Sequence, residues 1–138
     1  MSQHLLDQLK RHEGFRDRPY LDSENILTIG YGRNLEANPL TESEAEHLLL
    51  NDMIRHEREL WKAFPVAVGL DHVRRDALIN MAFNLGIPRL STFRKMWAAI
   101  EISDWDEAAK QAMDSKWAKQ VGRRAEEIAF MLRTGQYP

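Results

Sequence analysis

The spacing of apolar residues changes from a helical period to a period of two at one place in this chain, and this change limits how the chain can fold. In residues 26–31, Ile26, Thr28 and Gly30 alternate with Leu27, Ile29 and Tyr31, and a period of two predicts a β-strand. The preceding residues 22–25, Asp-Ser-Glu-Asn, are typical of a turn. Residues 18–35 therefore predict a small antiparallel hairpin or three-stranded sheet.

Helical spacing dominates on both sides of that segment. A first helix is predicted over residues 2–12, with Gly14 as its C-terminal cap, and a capping box at Thr41 and Glu44 predicts a long helix that ends near Phe64. Residues 72–85 are apolar nearly all round, which indicates a helix in the middle of a core. Further helices are predicted to begin at Thr92 and after Asp104, and to cover residues 123–133.

These elements predict an α+β fold that is mostly α, in one domain over residues 1–138. A small lobe with an antiparallel β-sheet occupies about 13–40, and a connecting helix occupies about 42–64. A helical C-terminal lobe occupies about 70–138, and we expect the helix of residues 2–12 to pack with it.

Composition excludes several classes of protein. The chain has no cysteine for a disulfide framework, no apolar run long enough for membrane insertion, and no N-terminal signal pattern. Its net charge of −2 gives no case for a nucleic-acid partner. Acids dominate residues 36–59, whereas residues 74–99 and 110–124 are basic. Such runs are either solvated faces or a basic wall facing a polyanion.

Three polar residues near the N-terminus are the candidate catalytic group. Glu13 ends the first predicted helix, Asp22 lies in the turn, and Thr28 lies on the strand. Taken singly, each is an ordinary residue for its place in the chain. Two carboxylates with a hydroxyl that can hold a water are the groups that glycosidic-bond cleavage requires.

The sequence motifs around these residues, together with several further motifs, resemble those of a known family. They are Glu13-Gly14, Tyr20, Asp22, residues 27–32, residues 70–77 and 79–86, residues 105–109, residues 115–117, Arg124-Ala125 and residues 133–135. In this order the chain closely resembles the phage-type lysozymes, glycoside hydrolase family 24, over nearly its whole length. The resemblance implies the lysozyme-like two-lobed fold.

The resemblance also implies an activity. The expected reaction is cleavage of the β-1,4 bond between N-acetylmuramic acid and N-acetylglucosamine in bacterial peptidoglycan. Glu13 matches the general acid, while Asp22 and Thr28 match the residues that place an attacking water. Such an inverting scheme predicts carboxyl groups roughly 6.5–9.5 Å apart.

Positions matching substrate contacts of the family are less well preserved. They are Phe83, Asn84, Gln111, Asn34 and Met96. Asn84 and Gln111 exchange one amide for the other, whereas Asn34 replaces a leucine and Met96 replaces a serine, so the set that would hold the sugar is altered. Arg124 matches an arginine that approaches the catalytic glutamate, and Tyr20 belongs to the same supporting set. Arg33 replaces a histidine that pairs with an aspartate matching Asp52, which predicts an Arg33–Asp52 ion pair.

Motifs for other kinds of site are incomplete in this sequence. His56-Glu57 lacks the second histidine of a zinc helix, and Gly30-Tyr31-Gly32 lacks the rest of a nucleotide motif, so no metal and no cofactor are expected. The resemblance implies a monomer made in the host cytoplasm that reaches the periplasmic wall through a holin to lyse the host. The alternative is a catalytically silent muramidase-like module that binds the wall or a protein.

Overall fold

A computed structural model describes residues 1–138, and their contacts divide the chain into two compact units. The sheet unit is Met1–Leu48 and the helical unit is Leu49–Pro138. The boundary falls within the long helix that was predicted to connect two lobes. The mostly helical α+β class expected from the sequence is confirmed.

The chain forms three strands, eight α-helices and one 3₁₀ helix. The strands are β1 (Arg16–Leu21), β2 (Leu27–Gly30) and β3 (Arg33–Asn34). The longer helices are α1 (Gln3–Glu13), α2 (Glu42–Ala63), α3 (His72–Leu85), α5 (Arg94–Glu101), α6 (Trp105–Met113) and α8 (Arg123–Thr134). The short helices are the 3₁₀ helix Pro65–Gly69, α4 (Ile87–Leu90) and α7 (Lys116–Val121). None of the helices combines the length and the apolar character that crossing a membrane requires.

In the sheet unit the strands form an antiparallel sheet in the order β1-β2-β3. Tyr20 on β1 and Asn34 on β3 both lie opposite Thr28 on β2. The apolar residues of α1, Leu5, Leu6 and Leu9, remain 40–48% exposed. That residues 2–12 pack with the helical lobe stays a prediction.

In the helical unit the core gathers around α3. Leu78 and Met81 on α3, Ile100 on α5 and Leu132 on α8 are at most 1% exposed. The prediction that a helix apolar nearly all round belongs in the core is therefore confirmed for α3. Burying side chains on this scale is the main favourable contribution to folding.

Local capping signals set most helix ends as predicted. Glu44 N donates to Thr41 Oγ1 and Thr41 N donates to Glu44 Oε1, which completes the capping box of α2. Thr92 was predicted to begin a helix, and this was wrong. Its hydroxyl donates to Arg89 O at 2.6 Å, and α5 begins at Arg94 without a side-chain cap.

Candidate active site

Glu13 lies at the C-terminal end of α1. The Ser2 hydroxyl accepts a hydrogen bond from Leu5 N at the start of the helix, and Gly14 ends the helix with a positive φ of 73°. The exposed carboxylate of Glu13 lies against Gly32, in the turn between β2 and β3. A Cβ added at Gly32 would lie 2.5 Å from Glu13 Oε2, and the φ of Gly32 is 73°. Space and backbone conformation therefore both favour glycine beside this carboxylate.

Asp22 lies in the turn that joins β1 to β2. Its Oδ1 accepts hydrogen bonds from Glu24 N at 2.8 Å and from Ile26 N at 3.0 Å. Its own N–H donates to Ile26 O at 3.0 Å. These three bonds fix the side chain relative to the turn, and they leave Oδ2 without a protein donor. Oδ2 can therefore accept a hydrogen bond from a water molecule.

Thr28 is the one buried residue of the sheet unit, at 4% exposure. Its hydroxyl donates to Ile26 O at 2.8 Å. Because the hydroxyl hydrogen is used in this bond, the oxygen faces any further partner as an acceptor. A water placed here would donate to Thr28 Oγ1 and keep its own lone pairs free.

One residue, Ile26, joins the two side chains. Its N–H donates to Asp22 Oδ1, and its carbonyl accepts from Thr28 Oγ1. The turn that carries Asp22 and the strand that carries Thr28 are separate signals in the sequence, and the main chain of Ile26 joins them. The sequence pattern does not single out Ile26, because the contribution of Ile26 comes from its main chain. The contact of Gly32 with Glu13 was not predicted either, although a glycine two residues after Gly30 is a signal of a tight turn.

Arg33 has other partners than predicted. Its guanidinium pairs with Glu44 and donates to Asn38 O at 2.8 Å and to Pro39 O at 2.7 Å. Asp52 instead accepts from Arg55 at 3.0 Å, three residues along α2. The predicted Arg33–Asp52 pair is wrong, since each side chain has a partner closer in the sequence.

The same contacts change the acidity of Glu44. Hydrogen bonds from the Thr41 backbone and from Arg33 lower the pKa of Glu44 from 4.5 to about 2. Glu44 therefore stays charged at neutral pH and holds Arg33 and the start of α2 in place. The loop after β3 is fixed at one end of the sheet that carries Thr28.

Comparison with known proteins assigns the family. A model of the family described as "Phage lysozyme" matches residues 10–130, which include Glu13, Asp22 and Thr28. The chain belongs to the phage lysozyme family. This confirms the resemblance seen in the sequence and the expected class of enzyme, a lysozyme.

Curated proteins with similar sequences differ in length. A probable T4-type lysozyme of Dictyostelium discoideum is 28% identical over 160 aligned positions, which cover 95% of this chain and 94% of that protein. An endolysin of Acyrthosiphon pisum secondary endosymbiont phage 1 is 27% identical, covering 84% of this chain and 80% of its own length. The pre-baseplate central spike protein Gp5 of Enterobacteria phage T4 is 30% identical over 95% of this chain. The chain spans only 28% of the length of that spike protein.

Two of the positions expected from the lysozyme family lie in one groove of the helical unit. Phe83, 38% exposed, and Arg124 line a groove of about 590 Å³ together with apolar residues such as Met53 and Ile79. The Arg124 guanidinium donates to Asn80 Oδ1 at 2.9 Å, which holds it in this groove. Phe83 therefore has a free apolar face with a fixed cation nearby.

Two further positions lie at a second cavity of the helical unit, of about 300 Å³. Gln111 lines it, and its amide donates to Glu107 at 2.8 Å, which leaves its carbonyl oxygen free. Met96 also lines it but is 1% exposed, so most of its surface is used in the core. Asn84 accepts from Trp117 Nε1 at 2.6 Å.

The remaining two positions lie in the sheet unit. Asn34 Oδ1 accepts from the backbone N–H groups of Glu36 and Ala37, both at 3.0 Å, so its carbonyl stabilises a turn. Tyr20 is half-buried beneath the guanidinium of Arg16, 4.2 Å from the ring centre. No three His, Cys, Asp or Glu side chains come together as ligands for a metal ion.

Proposed function

We propose that this protein is a peptidoglycan hydrolase that cleaves the β-1,4 bond between N-acetylmuramic acid and N-acetylglucosamine. The observation that carries the proposal is the anchoring of Asp22 and Thr28 on Ile26. It leaves one carboxylate oxygen of Asp22 and the hydroxyl oxygen of Thr28 as free acceptors, and we propose that one water donates to both. The membership of the phage lysozyme family supports the same class of substrate.

The proposed reaction is a single displacement with inversion. Glu13, protonated, donates its proton to the glycosidic oxygen as the bond to the anomeric carbon breaks. A water that donates to Asp22 Oδ2 and to Thr28 Oγ1 attacks that carbon from the opposite face, and Asp22 takes its proton. The products are an alcohol on the leaving sugar and a hemiacetal of inverted configuration.

The surrounding residues have proposed supporting roles. Arg124 would approach Glu13, and Tyr20 would stabilise the strand opposite Thr28. Phe83, Asn84, Gln111, Asn34 and Met96 are the proposed sugar contacts. We expect the largest contribution from Phe83, whose ring is exposed, and the smallest from Met96, whose side chain is buried.

The proposed biological role is lysis of a bacterial host at the end of a phage cycle. In this role the protein is a monomer that is made in the host cytoplasm and reaches the wall when a holin opens the membrane. A similar endolysin from a phage supports this role.

A silent wall-binding module is the second candidate. It is favoured by Asn34 and Asn84, whose side-chain oxygens are already used in bonds to Glu36, Ala37 and Trp117. Such a module would bind peptidoglycan and release no product.

The test compares hydrolysis of purified peptidoglycan sacculi by the wild type and by Glu13→Gln, with Glu24→Gln as a matched control on an exposed acid. We expect soluble fragments from the wild type and the control, and almost none from Glu13→Gln. Proton NMR of the first products should show the inverted anomer. A wild type that binds sacculi without releasing fragments would favour the silent module, and a retained anomer would exclude the roles of Asp22 and Thr28.

A further inference from the structure

His56 on α2 is a titratable group that the proposed chemistry does not use. Its side chain is 14% exposed, and its Nδ1 atom is buried without a hydrogen-bond partner in the protein. Only one other buried side-chain nitrogen or oxygen, Trp61 Nε1, also lacks a partner. Buried polar atoms are nearly always hydrogen-bonded, and the places where a chain departs from this rule are commonly functional or strained.

The ring of His56 packs against Phe83 on α3. The two rings meet edge to face, with their centres 5.1 Å apart. Phe83, 38% exposed, lines the groove of about 590 Å³ together with Met53 and Glu57, whereas His56 does not line it. His56 therefore supports the Phe83 ring from outside the groove and does not meet a ligand there.

The Glu59 carboxylate lies beside the unpaired nitrogen. Glu59 Oε2 is 3.6 Å from His56 Nδ1, and Glu59 Oε1 is 3.9 Å from Arg55 Nη1. A neutral histidine with its hydrogen on Nε2 presents only a lone pair to this carboxylate, which also has only lone pairs. A protonated ring has a hydrogen on Nδ1 that it can donate to Glu59 in a charge-assisted hydrogen bond. The contact between His56 and Glu59 thus depends on the charge of the ring.

The other titratable groups around Phe83 differ from histidine in the pH at which they ordinarily change charge. Glu57, Asp76, Tyr137 and Arg124 line the groove with Phe83. Carboxylates ordinarily titrate at about pH 4, tyrosine at about pH 10 and arginine above about pH 12, whereas histidine titrates at about pH 6.5. Between about pH 5.5 and 7.5, a histidine is therefore the residue of this set whose charge changes.

We propose that His56 is a positioning residue that orients Phe83 according to its own protonation, and so makes sugar binding in this groove stronger at acidic than at neutral pH. The protonated ring donates to Glu59 and holds Phe83 with its exposed face toward the groove. The neutral ring has no such bond, so Phe83 loses a fixed support. The inference rests on the proposed function, in which Phe83 is a sugar contact.

The test measures binding without turnover, in Glu13→Gln, of a tetrasaccharide of alternating N-acetylglucosamine and N-acetylmuramic acid. We expect the Kd to rise about threefold to tenfold between about pH 5.5 and 7.5, because a charge-assisted hydrogen bond is lost. Adding His56→Gln should make the Kd independent of pH, since glutamine does not titrate. The matched control is His47→Gln, on an exposed histidine of the same helix, and it should keep the pH dependence.

Two further variants test the route from His56 to the sugar. Glu59→Gln removes the acceptor and should also abolish the pH dependence; Glu59 is 45% exposed, so this variant serves if His56→Gln is unstable. Phe83→Leu should weaken binding and abolish the pH dependence while His56 is intact, because no aromatic ring remains to be oriented. In the wild type without sugar, the NMR signals of the Phe83 ring should shift together with those of the His56 imidazole as the pH changes.

The outcomes separate this inference from the proposed function. Phe83 signals that do not follow the titration of His56 would overturn the inference. So would a pH dependence that survives in His56→Gln or in Phe83→Leu, and so would absence of sugar binding at every pH. Failure of the proposed function would appear separately, as wild-type protein that binds the sugar with the expected pH dependence and releases nothing from sacculi.

Discussion

The two units of this protein are stabilised in different ways. Every buried apolar side chain lies in the helical unit, from Leu60 to Leu132, whereas the sheet unit has one buried residue, the polar Thr28. The sheet unit is fixed instead by hydrogen bonds among Asp22, Ile26 and Thr28 and by the contacts of Arg33. The proposed catalytic residues thus lie where polar contacts decide geometry, and the apolar core lies elsewhere. This difference predicts that activity and stability respond to substitutions in different units.

The largest expected effect is on activity, from Asp22→Asn. The amide oxygen of asparagine can still accept from Ile26 N, so the turn should persist while the proposed base is lost. We expect kcat to fall by about 10²–10⁴-fold with an almost unchanged melting temperature. Sacculus hydrolysis and thermal unfolding measure the two quantities.

Asp17→Asn, on an exposed position of β1, is the control and should keep its activity. If Asp22→Asn lowered stability as much as activity, the separation between the two units would not hold.

The largest expected effect on stability comes from Leu78→Ala. Leu78 is fully buried in α3, so its truncation should reduce the free energy of unfolding by about 2–5 kcal/mol. Denaturant unfolding measures this, and hydrolysis per folded molecule should stay near the wild-type rate at low temperature.

Leu21→Ala in the sheet unit is the matched control. Leu21 is 61% exposed, so we expect a change within about 0.5 kcal/mol. An equal loss at both positions would contradict the placement of the core in the helical unit.

A smaller effect is expected from Gly32→Ala. Gly32 and Gly30 have similar φ values, 73° and 68°, so alanine at either should cost about 1–2 kcal/mol of stability. Only at Gly32 does the new Cβ meet the Glu13 carboxylate. Gly32→Ala should therefore also lower kcat, by about 10–100-fold, because a proton donor displaced by about 1 Å loses its alignment.

Gly30→Ala is the control for backbone strain, since nothing lies within 4 Å of its added Cβ. Steady-state kinetics of Gly32→Ala and Gly30→Ala distinguish an effect of the contact with Glu13 from an effect of backbone strain. Equal kcat values would show that the contact between Gly32 and Glu13 has no part in catalysis.

The smallest expected effect is the contribution of Glu44 to acid stability. Because its pKa is lowered from 4.5 to about 2 in the folded protein, this contribution is complete above pH 4.5. It is lost as the pH falls through about 2. The melting temperature of the wild type should therefore fall more steeply between pH 4.5 and 2 than that of Glu44→Gln.

Glu42→Gln, on the same turn of α2 but without a side-chain hydrogen bond or ion pair, should follow the wild-type curve. Parallel curves for the wild type and Glu44→Gln would exclude the proposed role of the Arg33–Glu44 contact.

Helix ends that depend on a few neighbouring residues follow local sequence signals. The predicted start after Asp104 and the capping box of Thr41 and Glu44 are confirmed, and Ser2 and Asp71 likewise accept from a backbone N–H three residues ahead. Both partners of such a bond lie within one turn, so the sequence pattern contains the whole interaction. The short helices α4 and α7 were not predicted, since four or six residues are too few to display a helical period.

The burial of residues along α2 shows what a sequence pattern does not predict. Leu48, Leu49 and Leu60 have the same apolar character, yet the first two are 45–49% exposed and Leu60 is fully buried. Periodicity states which face of a helix is apolar, and only the packing of other helices decides which part of that face is covered.

The sequence by itself determined the family, several helix caps and the choice of Glu13, Asp22 and Thr28 as the candidate catalytic residues. The tertiary structure decided that Ile26 joins Asp22 to Thr28, that Gly32 borders Glu13 and that Arg33 pairs with Glu44. The physical reason is the distance along the sequence between the residues that interact. Caps and turns are hydrogen bonds within a few residues, whereas the position of a carboxylate against a glycine nineteen residues later depends on how a helix, a turn and a sheet come together.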